Sequence, residues 1–387
     1  MFAWNTSARA ACLFLPWLLA ACGADSEAAP PTGGSPGPSD ASTGGVAPDA
    51  IARGDAGGDV TPVSDATDLS DALADADGGP PGDDGAPPPA ADAARGDPNV
   101  LVGAFQVLLT PAAPATPITP EVFAQTSVFG RVQDGPTPEL VRWTEVQAES
   151  GCRLLTPSVP FCETPCGGSA ACVDDDVCQP YPTALDVGAI TVTGVSTGDG
   201  ATTFVMEAVA SNYQRSGLPF PAFAEGDPVR FGAEGGSPSG IAPFELSAVG
   251  IAPLSLTSAP LELVAGAPAT LTWIPPATAE VSEVLVRLDI SHHGGSNGKI
   301  ECVVADTGSL TLTAAQLDAL RALGVAGFPT VIVTRRARGS AVIAPGRVDL
   351  GLLSTVEQRV IIPGLTSCTA DEDCPEGTTC RPDLQCL

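Results

Sequence analysis

Val284-Leu285-Val286-Arg287-Leu288-Asp289-Ile290 is the stretch that decides the fold. Val284, Val286, Leu288 and Ile290 fall on alternate positions, with Leu285, Arg287 and Asp289 between them. That period of two belongs to a half-buried β-strand, not to a helix. The same pattern recurs where Val348, Leu350 and Leu352 alternate with Arg347, Asp349 and Gly351, and where Ala269, Leu271 and Trp273 share one side. Further strands are predicted at about 101–109, 126–133, 140–147, 187–194, 202–209 and 330–335. Short strands separated by Gly, Pro and Asp turns predict a mainly β body, an antiparallel β-sandwich that is one large unit or two fused ones. One segment breaks the pattern. Thr313-Ala314-Ala315-Gln316 has the form of a capping box, and Leu317, Leu320 and Leu323 supply a helical stripe that Gly324 ends. A single helix is therefore predicted over 314–323.

The body begins at Val100, where aromatic residues appear. Upstream, residues 23–99 hold 15 Asp or Glu against Arg53 and Arg95, with no aromatic residue. Ala, Gly, Pro, Asp, Ser and Thr dominate, too little apolar surface to offset ordering entropy, so this stretch is expected to be a disordered acidic linker. As a flexible coil its 77 residues reach roughly 50 Å. Asp75-Ala76-Asp77-Gly78 has half the spacing of a calcium loop but lacks the later ligands and the bidentate Glu. The whole chain carries a net charge of −28, which repels phosphate backbones and argues against a nucleic-acid partner.

Residues 1–21 have one positive charge, Arg9, and an apolar run from Ala10 to Ala21, too short to span a bilayer. That is the anatomy of a signal peptide. Leu19-Ala20-Ala21-Cys22 resembles the bacterial lipobox, which implies cleavage between Ala21 and Cys22 and a diacylglyceryl group with an acylated amine on Cys22. Several acyl chains hold a protein at a membrane where one does not. Gly23 and Ala24 follow with no Asp, a pattern that resembles outer-membrane sorting in Gram-negative bacteria. Cys12 lies in the removed segment.

The chain thus divides into a lipoprotein signal peptide (1–21), the lipidated Cys22 with its linker (22–99), a β-rich domain with a cysteine cluster (100–249), a β-sandwich (250–366) and a cysteine-rich terminal module (367–387). Leu271-Thr272-Trp273-Ile274-Pro275-Pro276 resembles the second strand of fibronectin type III and immunoglobulin-like modules, where a core tryptophan precedes proline. The resemblance covers about 250–365 and implies a core role for Trp273. The layout as a whole resembles uncharacterised Gram-negative lipoproteins, which implies a location and a fold class.

Without Cys12 and Cys22, ten cysteines remain, and an exported chain meets an oxidising compartment. Five lie between Cys152 and Cys178, one is Cys302, and Cys368, Cys374, Cys380 and Cys386 close the chain. If the last four pair internally, Cys302 must bond a member of the first cluster, with Cys152 the first choice. Cys302 shares strand parity with Ile300 and Val304 and is expected to point inward. The remaining pairs then lie among Cys162, Cys166, Cys172 and Cys178. The polar terminal segment has little to bury and needs bridges to hold its shape. Its Cys374–Cys380 run looks like small secreted disulfide modules, some of which bind partners or inhibit proteases. Its spacing of five lacks the Cys-x2-Cys knuckle of zinc sites.

The only histidines, His292 and His293, are adjacent in the Gly-rich loop Ser291–Gly298, with Asp289 and Asp306 the nearest carboxylates in sequence. Imidazoles ligate metals or act as bases near neutral pH, but neighbours on extended chain face opposite ways, so a solvent loop is expected. Gly194-Val195-Ser196-Thr197-Gly198 matches the nucleophile-elbow string, which requires a helix after it. The β-prone Thr202–Val205 follows instead, so a hairpin is expected. Trp143, Phe161, Tyr181, Tyr213, Phe220 and Phe223 either line a sugar-binding face or fill the β core.

These readings lead to a lipid-anchored outer-membrane protein displaying a non-catalytic β-sandwich for adhesion, scaffolding or recognition, with no cofactor and an envelope protein or glycan as partner. The alternatives are a metal-dependent envelope enzyme built on His292 and His293, and inhibitor-like binding by the terminal module.

Overall fold

The computed structural model describes residues 96–113, 121–278, 281–295 and 297–387. The signal-peptide, Cys22, linker and Asp75–Gly78 readings lie outside the described residues. The strands in chain order are β1 (Leu101–Thr110), β2 (Gln125–Gln133), β3 (Arg142–Glu149), β4 (Cys152–Ser158), β5 (Ala170–Asp174) and β6 (Val177–Pro180). Then come β7 (Ala184–Leu185), β8 (Ile190–Thr193), β9 (Thr203–Met206), β10 (Asn212–Leu218), β11 (Pro228–Ala233) and β12 (Phe244–Val249). The last are β13 (Ala269–Thr272), β14 (Glu283–Asp289), β15 (Lys299–Ala305), β16 (Ser309–Leu312), β17 (Thr330–Val342) and β18 (Arg347–Arg359), with the helix α1 (Ala314–Ala322) between β16 and β17.

One ten-stranded sheet organises this mainly β body. Its order is β10-β2-β1-β18-β17-β14-β15-β4-β3, with β7 paired to β2. All its described pairings are antiparallel except β1 with β18. A four-stranded sheet, β12-β11-β8-β9, and the pair β13-β16 are separate from it.

Two apolar cores result. The first gathers Phe105, Val107 and Leu109 of β1, Val128 of β2, Tyr213 of β10, Phe231 of β11, Leu246 of β12, and Val348, Leu350 and Leu352 of β18. Phe105 lies at its centre, with its ring 5.8 Å from those of both Tyr213 and Phe231. The second gathers Leu154 of β4, Leu271 and Trp273 on the β13 side, Val284, Val286 and Leu288 of β14, Ile300 of β15, Leu317 and Leu320 of α1, and Val331 and Val333 of β17. The alternation that opened the sequence reading is therefore real: the even positions of β14 are buried and the odd ones face the other way.

The division at 249/250 expected from the sequence is not how the cores divide. β3 and β4, from before it, complete the sheet over the second core, while the β17–β18 hairpin, from after it, adds Ala337, Ile343, Val348, Leu350 and Leu352 to the first. This hairpin pairs Thr330 with Arg359 at one end and Val342 with Arg347 at the other, so two 13-residue strands run beneath both cores. β12 crosses close over β17 at Gly339, where a Cβ would lie 1.8 Å from Ser247 O. Only glycine admits that approach.

The capping box of α1 forms as expected: Gln316 N donates to Thr313 Oγ1 at 3.3 Å and Thr313 N donates to Gln316 Oε1 at 2.9 Å. Gln316 Nε2 also donates to Glu149 O, which ties the helix start to the end of β3. No described helix is long and apolar enough to cross a membrane.

Candidate functional site

The histidine loop leaves β14 at Asp289, whose carboxylate accepts hydrogen bonds from Ser291 N at 2.8 Å and Ser291 Oγ at 3.0 Å. Ser291 Oγ in turn accepts from Asn297 N, and Phe328 N donates to His292 O at 2.7 Å. His293 has φ of 61°. This left-handed residue breaks the extended alternation, so the two rings do not face opposite ways as expected: their centroids lie 4.0 Å apart. Burial lowers the pKa of His292, and the neighbouring His293 lowers it further. A neutral imidazole can ligate or accept a proton. Asp289 is turned onto Ser291, however, and Asp306 lies past the other end of β15, bound to Arg335. The expected carboxylates and the histidines are not brought together into a set of three potential metal ligands.

The other motifs resolve into structure. Gly194 N donates to Thr202 O and Thr197 N to Ala201 O, so the nucleophile-elbow string closes the β8–β9 hairpin. Trp273, 2% exposed, occupies the second core, and its indole N–H donates to Asp306 Oδ1 at 2.7 Å. Cys152 and Cys302 are bonded to each other, as are Cys162 with Cys172, Cys166 with Cys178, Cys368 with Cys380, and Cys374 with Cys386. Among the described residues, the two cysteine groupings compact enough to hold a metal, Cys162/Cys166/Cys172 and Cys368/Cys374/Cys386, are made of these bonded sulfurs.

The terminal module is seated beside the histidine loop. Gly327 N donates to Asp383 O at 2.7 Å, and Gln385 Nε2 donates to Gly327 O at 2.6 Å. Within the module the Asp373 carboxylate accepts from Thr369 N, Thr369 Oγ1 and Ala370 N, which hold its pKa below the ordinary value.

The six aromatics separate by environment. Tyr213 and Phe223 are buried and Phe220 packs against the first core, whereas Trp143 lies under Lys299, with the ammonium 3.8 Å from its ring centroid. Phe161 and Tyr181 are exposed, at 70% and 50%. They flank the ribbon β5–β6, which two disulfides staple within 17 residues, Cys162 to Cys178. Val159 and Val177 add exposed apolar surface at 73% and 50%. The backbone there is fixed from several directions: Asp176 N donates to Phe161 O, Phe161 N to Asp175 Oδ1 and Glu163 N to Asp176 Oδ1. Arg142 of the edge strand β3 pairs with Asp174, and Gln179 Nε2 donates to Pro136 O. The outcome is a rigid knob that presents apolar and aromatic side chains to solvent instead of burying them. Val159 and Val177 were not singled out in the sequence; their only signal was position beside the paired cysteines.

No family model matches the sequence, and no curated protein matches it. Among solved structures, the chicken CNTN1 FN1-FN3 domains align at 8% identity over 61% of this chain and 78% of that one, with a TM-score of 0.18. Trypsin-activated alpha-2-macroglobulin from Escherichia coli aligns at 12% identity over 61% of this chain, which spans 21% of that protein, with a TM-score of 0.18. The tetra-tandem repeat in the extending region of a large adhesion protein aligns at 12% identity over 69% of this chain and 76% of that one, with a TM-score of 0.15. These weak structural similarities assign no family.

Proposed function

We propose that this chain is a display protein of the cell envelope. It recognises an envelope protein or a glycan through the stapled knob around Phe161 and Tyr181, and performs no catalysis. One observation carries the reading: Val159, Phe161, Val177 and Tyr181 stand exposed on a segment that two disulfides and several backbone hydrogen bonds hold in place. Exposed apolar groups on rigid backbone lose little conformational entropy when a partner covers them, which is what favours affinity. Aromatic side chains are the usual energetic anchors of interfaces and of sugar faces. The separation of His292 and His293 from Asp306 supports a binding role over a catalytic one. Lipidation at Cys22 and the acidic linker would place the knob well clear of the outer membrane.

The test is a comparison of the full chain with its Phe161→Ala/Tyr181→Ala variant on a glycan panel and on immobilised envelope proteins. Truncating two anchors is expected to weaken binding by about 30-fold, with the melting temperature unchanged because neither side chain is buried. Equal binding by the two chains would overturn the assignment of the knob. Metabolic labelling with a fatty acid tests the anchor: label is expected on the parent chain and absent from Cys22→Ser.

A further inference from the structure

The two disulfides of the knob, Cys162–Cys172 and Cys166–Cys178, converge on one small space. Cys162 Sγ and Cys166 Sγ belong to different bridges and lie 3.7 Å apart. The sulfurs of Cys162, Cys166 and Cys172 all fall within 4.8 Å of one another. The fourth cysteine, Cys178, is bonded to Cys166 and stands directly opposite Cys172 on the β5–β6 ribbon. The chain thus delivers the four sulfurs in two pairs. Cys162 and Cys166 are separated by three residues, within the two-to-four-residue spacing of zinc knuckles. Cys172 and Cys178 are brought side by side by strand register. In a tetrahedral site with Zn–S bonds of about 2.3 Å, neighbouring sulfurs sit roughly 3.8 Å apart. The contact between Cys162 and Cys166 already matches that edge.

Access sets these bridges apart from the others. Cys162, Cys166 and Cys172 are half-buried and Cys178 is exposed. Cys152 and Cys302 are both buried, and Cys368 and Cys386 bury one end of each terminal bridge. Exchange requires an attacking thiolate to reach a bridge sulfur, so a dithiol reductant opens the knob first. Bonds other than the disulfides also hold the sulfurs in place. β5 pairs with β6, Asp176 N donates to Phe161 O, Glu163 N to Asp176 Oδ1, and Tyr181 N to Ser169 O.

We infer that the knob is a redox-gated zinc site, whose four cysteines form two disulfides when oxidised and one four-thiolate zinc centre when reduced. Two molecules of a dithiol each give two electrons and two protons, become disulfides themselves, and break the Cys162–Cys172 and Cys166–Cys178 bonds. Four thiols result. Zn2+ displaces their four protons and is held by the four thiolates. Oxidation by a disulfide runs the sequence backwards, closing both bridges and ejecting the metal. Within each former bridge the sulfurs need to part by only about 1.7 Å, which side-chain rotation supplies. Zinc thus takes over the stapling that the disulfides perform. The inference stands apart from the recognition reading, because it concerns the sulfurs and not the exposed rings.

The test treats the full chain with dithiothreitol in the absence of denaturant, then desalts it anaerobically. Alkylation with iodoacetamide and peptide mass mapping are expected to mark Cys162, Cys166, Cys172 and Cys178 and to leave Cys152 and Cys302 unmodified. A second portion, given Zn2+ alone and desalted again, is expected to retain about one zinc per chain, with the four knob cysteines now shielded from alkylation. Co2+ in its place is expected to give the visible and thiolate charge-transfer absorption of a tetrahedral sulfur site. Cys374→Ser/Cys386→Ser, which opens a bridge of the terminal module, is expected to keep the zinc, and Cys162→Ser/Cys172→Ser to lose it. The unreduced chain is expected to bind none. A reduced chain that holds no zinc overturns the inference, as does equal zinc on the unreduced chain or on Cys162→Ser/Cys172→Ser. So does zinc lost with the terminal bridge instead, or labelling of Cys152 and Cys302 alongside the knob.

Discussion

Asp306 and Arg335 are each 1% exposed at the side chain and are joined by two hydrogen bonds, Nε to Oδ2 at 2.6 Å and Nη2 to Oδ1 at 3.0 Å. Every remaining lobe of the pair is used. Arg335 donates to Ala252 O, Pro253 O and Ile274 O, while Asp306 accepts from Trp273 Nε1 and Ser282 Oγ. This pair explains how an arginine can point inward on β17 and why the strand continues through it.

Removing one partner leaves the other charged and buried. Asp306→Ala is expected to cost about 3–5 kcal/mol of folding stability, a large fraction of the roughly 5–15 kcal/mol typical of a domain. The apolar double replacement Asp306→Leu/Arg335→Met is expected to cost less than the single one. Urea unfolding of the three proteins checks the order; a double variant weaker than Asp306→Ala would refute it.

The Cys152–Cys302 bond links β4 to β15 with a sequence separation of 150, against 10 for Cys162–Cys172. Loop-closure entropy gives about 5 kcal/mol for the long loop and about 3 kcal/mol for the short one. Cys152→Ala/Cys302→Ala should therefore lower stability more than Cys162→Ala/Cys172→Ala. It should also raise the urea m-value, because the unfolded chain is released to expand.

Tyr213 is buried in the first core. Its hydroxyl accepts from Val187 N at 3.0 Å and lies 2.9 Å from Gly188 O, and burial pushes its pKa up to about 12. The unfolded chain, titrating near 10, releases this proton first. The stabilisation is therefore complete below pH 10 and is lost as pH rises from 10 to about 12. Tyr213→Phe is expected to flatten that alkaline decline and to cost about 1–3 kcal/mol at pH 8, where Val187 N loses its acceptor. Denaturant midpoints from pH 8 to 12 check both.

His292 behaves in the opposite sense. Burial, and then the adjacent His293, favour the neutral ring and depress its pKa. The unfolded chain binds the proton first as pH falls, so stability is full above pH 6.5 and declines below it, through the depressed folded value. His292→Gln is expected to remove this part of the acid sensitivity. Unfolding midpoints between pH 7.5 and 5 that fall equally in both proteins would contradict it.

Local chemistry in the sequence determined the β character of the body, the capped helix and the inward face of Cys302. Val284–Ile290, Thr313–Gln316 and the parity of Ile300, Cys302 and Val304 each need only a few neighbouring residues to be read, because side-chain period and capping act over one or two turns of chain. The tertiary structure decided what those elements belong to. β17 reads as ending near Arg335, since Arg335, Arg336 and Arg338 interrupt its apolar alternation. It continues to Val342 because Asp306 and three backbone carbonyls, distant in sequence, satisfy Arg335 inside. The continued strand, paired with β18, supplies residues to both cores, so each core draws on segments from both sides of 249/250. The same holds for the sites. Adjacent histidines and evenly spaced cysteines are visible as letters. Whether Asp306 meets His292 or Arg335, and whether Phe161 fills a core or faces solvent, depends on contacts 14 to 83 residues apart, which no local pattern encodes.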